Sequence, residues 1–386
     1  MFTLLALIMS VQLGRAAIQA ESGQQSALAI PSTDRAKPLT APLDVAVPVP
    51  PWIFRANGSW HLVYELHIAN IGSVECTLTR IDTVADQTGA TLARFVGLDL
   101  NGAVVQPNAA VDLPTKIPPA GFAVVYMWVT LHPQQRIPEG VAHVITMRVK
   151  GYSGELSVRA AHVFVNRAPV PLIGPPLKGS DWAAANGPRN DTPHRRGLLT
   201  VEGHAYIAER FATDWVRIAP SGDVHTGNAA DNRNYPGYGA QVIAVSDGVI
   251  SAVHDGVPEN TPPTTATPIT LETIAGNYVT ERIGNRLYAS YCHLQPGSLR
   301  VKRGARVKRG DVPGLLGNSG NSNAPHLHFQ VCNANSVLAY EGVPYAFTTF
   351  IQENKTFPPA DVAERKPDIR HTHELPTSDT LVRFVR

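Results

Sequence analysis

Cysteine is scarce in this chain: Cys76, Cys292 and Cys332 are the only three among 386 residues. An odd count leaves at least one thiol free or paired between chains. None of the three stands in a CxxC spacing, which argues against a thiolate zinc site. Cys292 and Cys332 fall in strand-like segments, where either a bridge between them or two buried free thiols would fit. An excess of either charge is also missing. Lys and Arg number 33 against 31 Asp and Glu, a formal net charge of +2, without the concentrated basic face of a nucleic-acid binder. Long apolar runs are absent too. The longest, Phe2 to Leu13, is shorter than the roughly 20 residues that span a bilayer, and no later segment could cross one. Small residues follow it at Ala16, Ala17 and Ala20. Residues 1–20 therefore read as a secretory signal peptide, although no Lys or Arg precedes the run. The expectation is a secreted or periplasmic protein with no transmembrane segment in the mature chain. Nor does the chain carry a long amphipathic helical repeat.

What the sequence does hold is punctuation: 32 prolines and 31 glycines, with short runs rich in Val, Ile and Thr between them. That pattern predicts an all-β protein with many turns. Residues 21–44 are polar and read as a flexible leader. From 45 to 167, regular short strands such as Trp60–Ile68, Val74–Ile81, Phe122–Leu131 and Val144–Val149 predict a β-sandwich, immunoglobulin-like in topology. A Pro-rich stretch opens a linker over 168–197. A second β domain is expected over 198–352, and a charged, Pro-containing tail over 353–386.

The sharpest local signal is Pro325-His326-Leu327-His328-Phe329. On a strand, side chains two residues apart share a face, so His326 and His328 should project together. One imidazole could then bind a metal while the other moves protons. Alone, two such histidines are as readily hydrogen-bonded surface groups. Upstream lies the loop Gly314–Ser322, whose Gly, Asn and Ser residues suit the rim of a cleft. Before it come Tyr291-Cys292-His293-Leu294 at the end of an apolar strand, and the basic run LRVKRGARVKRG over 299–310, which reads as a solvated hairpin.

Gly276-Asn277-Tyr278-Val279, Tyr288, Tyr291, His293-Leu294, the turns at Gly304 and Gly310, Gly317-Asn318-Ser319-Gly320 and His326-Leu327-His328 stand in the order and spacing seen in peptidase family M23. Val242–Ile250 likewise looks like that family's VxAxxDGxV hairpin. Over residues 205–335 the chain resembles these zinc endopeptidases, the LytM and lysostaphin-like group. The resemblance implies an antiparallel β domain with a groove, zinc (Zn2+) as cofactor, and hydrolysis of peptide bonds, most often in peptidoglycan. It also implies roles: Asp214 and His328 as metal ligands, and His293 and His326 as the catalytic histidines that handle protons. Tyr291, Asn318 and Ser319 are candidate substrate contacts, and so is Arg210, which could bind a substrate carboxylate or pair with Asp214.

One position departs from the pattern. Where the family's HxxxD motif has its first ligand, this chain has Arg210, and a guanidinium offers no lone pair to a metal. His204, His225 or His194 could complete the site, although His204 on a continuous strand would lie about 20 Å along the chain. Asp214, His328 and waters could instead hold zinc weakly. A third reading is a metal-free domain that binds a wall component or activates another hydrolase. The polar stretch 177–197, with Asp181, Asp191 and His194, could also cover the groove.

Overall fold

Strand Ser59–Asn70 shows how this sequence builds its layers. Its apolar and polar residues alternate, yet eleven of its twelve positions are buried or half-buried, Trp60 being the exception. Leu62, Tyr64, Leu66 and Ile68 point into one core, while Val63, between them, joins a second core together with Phe54 and Ala56. Period-2 alternation therefore feeds two different interiors from one strand. The computed structural model describes residues 41–107, 112–132, 134–356 and 367–385. The signal-peptide reading, and the leader as far as residue 40, lie outside the described residues.

Two antiparallel five-stranded sheets form the N-terminal part. One runs Leu43–Ala46, Ser59–Asn70, Phe122–Leu131, Val104–Val105, with Trp52–Ala56 also on Ser59–Asn70. The other runs Leu156–Phe164, Gly140–Val149, Cys76–Ala85, Thr91–Val96, with Lys116–Ile117 on Cys76–Ala85. Leu66, Ile81, Met127 and Ile145 from both sheets share one core, as the sandwich expectation requires.

Among the described residues the C-terminal part has three two-stranded sheets and is built on one ten-stranded sheet. Its order is Arg306–Val307, Gly248–His254, Asn277–Gly284, Leu287–Leu294, Leu327–Cys332, Thr213–Arg217, Gly179–Ala185, Thr380–Phe384, Phe350–Thr356, Ile369–His371. Two sequence-based boundaries are corrected by it. The linker over 168–197 contains the strand Gly179–Ala185, which pairs with Thr213–Arg217 on one side and Thr380–Phe384 on the other. The tail over 353–386 contains Thr380–Phe384 itself, seated between Gly179–Ala185 and Phe350–Thr356. Flanking Pro and charge disguised a five-residue segment whose Val382 and Phe384 belong to the main core with Trp215 and Phe347.

Nor do the two β regions stand apart as linked domains. The described residues from 41 onward form one compact unit, because Phe54, Ala56 and Val63 of the sandwich share a core with Trp182, Phe211 and Trp215. Cys76, Cys292 and Cys332 are all buried and free. Among the described residues no helix is long and apolar enough to cross a membrane.

Candidate metal centre

The site grows from strand register. Asp214 in Thr213–Arg217 stands directly opposite His328 in Leu327–Cys332, so both side chains leave the sheet on the same face. Their neighbours Trp215, Leu327 and Phe329 turn the other way into the core. His328 Nδ1 lies 3.0 Å from Asp214 Oδ1, and His326 Nε2, from the residue just before the strand, lies 3.4 Å from the same oxygen.

The third group comes from the stretch read as a linker. Thr192 caps the one-turn helix Pro193–Arg196 through a hydrogen bond from Arg195 N, and proline occupies the first helical position. This turn aims His194 Nε2 at Asp214 Oδ2, 3.4 Å away, and packs its ring edge-on against that of His328, with centroids 4.8 Å apart. His194 Nδ1 is buried with no hydrogen-bond partner among the described residues. Donor atoms of His194, Asp214 and His328 all lie within 4.8 Å of one another. Asn186 Nδ2 donates to Asp214 Oδ2 at 2.9 Å and fixes the carboxylate. His194 had no more support from sequence than His204 or His225. Its available signal was the Thr192-Pro193 helix start, which marks an ordered turn rather than a loose loop. His204 and His225 sit elsewhere, beside Tyr206 and Tyr235.

The remaining two histidines reach the same cleft by different means. Strand alternation would bury His293 beside Tyr291. A register shift between Asn277 and Val279 adds an extra residue on the opposite strand, and His293 takes φ 64°, a left-handed conformation rare for non-glycine residues. Cys292 and His293 consequently both line the cleft. His293 Nδ1 lies 2.8 Å from the Ser319 carbonyl, and His326 Nδ1 lies 2.8 Å from the Ala324 carbonyl. A carbonyl can only accept, so Nδ1 carries the proton in each ring; His293 keeps its lone pair on Nε2, while His326 Nε2 faces the Asp214 carboxylate. The two rings are 4.8 Å apart.

Burial sets the electrostatics. It opposes ionisation of Asp214, but the charges of His194 and His326 and hydrogen bonds from His326 and His328 hold the carboxyl well below its usual range. Burial likewise opposes protonation of His328, yet its bond to Asp214 and the charge of Glu209 raise it to about 9. His328 Nε2 donates to Gln330 Oε1 at 2.7 Å, which leaves Nδ1 to share a proton with Asp214. His293 is pushed well down by burial first and then by its two histidine neighbours, so it stays neutral. The cleft over these groups has a volume of about 340 Å³, and Glu209, Asn321 and Asn323 add polar atoms to its walls.

The four residues expected along the substrate are placed differently. Arg210 does not face the cleft. It is buried and ion-paired to Glu65 and Glu341, because its side chain leaves the chain toward the sandwich. Tyr291 lies in the core, where its hydroxyl donates to Glu281 Oε2 at 2.6 Å. Asn318 and Ser319 are fully buried. They build the rim rather than line it: Asn318 accepts from Ser322 Oγ and donates to Asn232 Oδ1, while Ser319 donates to the Leu294 carbonyl. Gly276 (φ 61°) lets this loop close, since a Cβ there would fall 2.4 Å from the Ser319 carbonyl oxygen.

Glu281, under Tyr291, carries a stability prediction. Burial pushes its carboxyl up to about 7 from 4.5, against the hydrogen bond from Tyr291. The native state therefore holds a proton that the unfolded chain has lost, and stability falls as pH rises from about 4.5 to 7, then levels. Glu281→Gln should remove this slope and be more stable than wild type at pH 8 by ~1–3 kcal/mol. Urea denaturation at pH 5 and pH 8 checks it, and an unchanged wild-type slope in the variant would refute the assignment.

Comparison with known proteins bears on this site. A family model described as peptidase family M23 matches residues 232–339. Peptidoglycan DD-endopeptidase ShyA of Vibrio cholerae is 44% identical over 57 residues, covering 15% of this chain and 13% of that protein. Peptidoglycan DD-endopeptidase ShyC of the same organism is 46% identical over 55 residues, 14% of this chain and 12% of that protein. The matched segment is thus a small fraction of either relative. A solved zinc-containing peptidase from Vibrio cholerae covers 76% of this chain and 84% of its own at 15% identity, with a TM-score of 0.26, too low to carry an argument. His293, His326 and His328 all fall within residues 232–339, the segment that matches the model of peptidase family M23.

Proposed function

We propose that this chain is a zinc metalloendopeptidase, secreted or periplasmic, that hydrolyses peptide bonds in peptidoglycan, with His194, Asp214 and His328 holding the metal. The convergence of those three donors within 4.8 Å carries the reading. The donor set suits zinc: two imidazoles and one carboxylate, on a cleft that leaves room for a fourth ligand. His328 and Asp214, which share a proton in the absence of metal, would give it up on holding a dication. The substrate class is supported by the family match and by the DD-endopeptidase names of the two relatives. The location is supported by the apolar N-terminus with its small residues.

Zinc bound at such a site lowers the pKa of a coordinated water to about 7 and polarises the scissile carbonyl. Asn186 and Gln330 hold Asp214 and His328 in place. His293 and His326, each with Nδ1–H anchored on a carbonyl, present Nε2 to the substrate. From there they take up a proton, stabilise the oxyanion that develops on the carbonyl and protonate the leaving amine. A metal-free binding or activator role draws its support from Arg210 at the ligand position, and the placement of His194 beside Asp214 weighs against it.

Protein purified and reconstituted with zinc should hold about one metal per chain and release fragments from isolated peptidoglycan. A chelator should stop the cleavage. His326→Ala should keep the zinc and the fold while losing roughly 10²–10³-fold in kcat/KM. Failure to bind zinc after reconstitution would sink the reading.

A further inference from the structure

We propose that the N-terminal sandwich is a working part of the metal centre, and that Glu65 is the positioning residue through which it acts. The inference rests on the zinc reading above. Glu65 lies in strand Ser59–Asn70 between Tyr64 and Leu66, which point into the sandwich core. Its own side chain therefore points the other way, toward the C-terminal sheet. There a single buried carboxylate is shared by two buried guanidiniums. Arg195 Nη1 pairs with Oε1. Arg210 donates from Nε to Oε1 at 3.1 Å and from Nη2 to Oε2 at 2.9 Å.

Both arginines stand beside donors of the metal site. Arg195 directly follows His194, and Arg210 lies four residues before Asp214. The helix that carries His194 has one turn, far too short to hold itself. Apart from Arg189, which pairs with Asp379, and Pro188, whose carbonyl accepts from Ser378 N, the other ties of this segment run to the sandwich. Arg195 Nη2 donates to the Tyr64 carbonyl at 2.8 Å, and its guanidinium covers the Tyr126 ring at 5.0 Å. Asn190 Nδ2 donates to the Tyr126 carbonyl at 2.7 Å, and Arg196 Nη2 to the Gly102 carbonyl at 2.5 Å. The distance between His194 and Asp214 is consequently set from the sandwich side, with Glu65 common to both segments. Buried ion networks specify geometry more than they add net stability. A metal site needs its ligands held within about 0.5 Å, and loss of supporting groups lowers affinity by about 10–100-fold.

The test compares zinc dissociation constants of full-length wild type and Glu65→Gln, by competition with a chromogenic chelator, at a temperature where near-UV circular dichroism shows both folded. Glu65→Gln should raise the constant at least about tenfold. Ile145→Val, a trimmed side chain in the sandwich core, should lower the thermal midpoint and leave zinc affinity unmoved, which separates positioning from general destabilisation. Equal affinity in wild type and folded Glu65→Gln overturns this inference and leaves the zinc reading standing. If Glu65→Gln does not fold, Asn190→Ala, which loosens the same segment without stranding a charge, decides. A severalfold weaker constant supports the tether, and an unchanged one overturns it. A wild-type chain that binds no zinc overturns the zinc reading, and this inference with it.

Discussion

His194→Ala should strip the protein of stoichiometric zinc and lower kcat/KM by about 10³, roughly 4 kcal/mol of transition-state stabilisation. The reasoning is geometric. Asp214 and His328 face each other across adjacent strands, but two ligands do not make a catalytic zinc site, which takes three protein donors and keeps one position open. His194 Nε2, 3.4 Å from Asp214 Oδ2, is the group placed to be the third. The companion variant is Arg210→His, which rebuilds the HxxxD pattern on paper. It should restore nothing. Residue 210 points away from the cleft into the pairing with Glu65 and Glu341. Removing its guanidinium leaves buried carboxylate charge less well paired, at a cost of about 3–5 kcal/mol. Metal analysis and urea unfolding of the two variants separate the alternatives. Higher zinc affinity in Arg210→His, or full zinc in His194→Ala, would place the ligand at the wrong residue here.

Removing residues 367–386 should leave a chain that does not reach the native state. Thr380–Phe384 is an interior strand, paired with Gly179–Ala185 and Phe350–Thr356, and its loss opens two sheet edges beside the Asp214 strand. Phe384 packs on Trp215, with ring centroids 5.1 Å apart, and on Phe347 at 5.4 Å. Phe384→Ala alone should cost about 3–5 kcal/mol. Soluble yield, limited proteolysis and near-UV circular dichroism of the truncation, with urea unfolding of the point variant, give the answer. A soluble truncated chain with the wild-type near-UV spectrum would show the strand to be dispensable.

The all-β class was legible because Val, Ile and Thr runs between Pro and Gly turns carry their own period. His326 and His328 were legible as a pair for the same reason: two residues apart on a strand means one face. The limits have physical causes as well. A strand of five residues among prolines and charges, such as Thr380–Phe384, has too few positions to show a pattern. Its burial is decided by partners nearly 170 residues or more away, at Trp215 and Gly179–Ala185. Tyr291, Asn318 and Ser319 stand beside site residues in sequence, which suggests contact with substrate. Alternation sends Tyr291 into the core, and loop closure turns Asn318 and Ser319 inward.

Local order along the chain was enough to determine the fold class and four of the groups gathered at the cleft: Asp214, His293, His326 and His328. Periodicity and turn chemistry are properties of neighbouring residues, and they survive in one dimension. The partner of those four was decided only in three dimensions. His194 comes to Asp214 on a one-turn helix held against another β layer through Glu65, a residue with no sequence relation to either. Ligand geometry depends on distances between elements, and those are set by how sheets pack and which buried charges must meet.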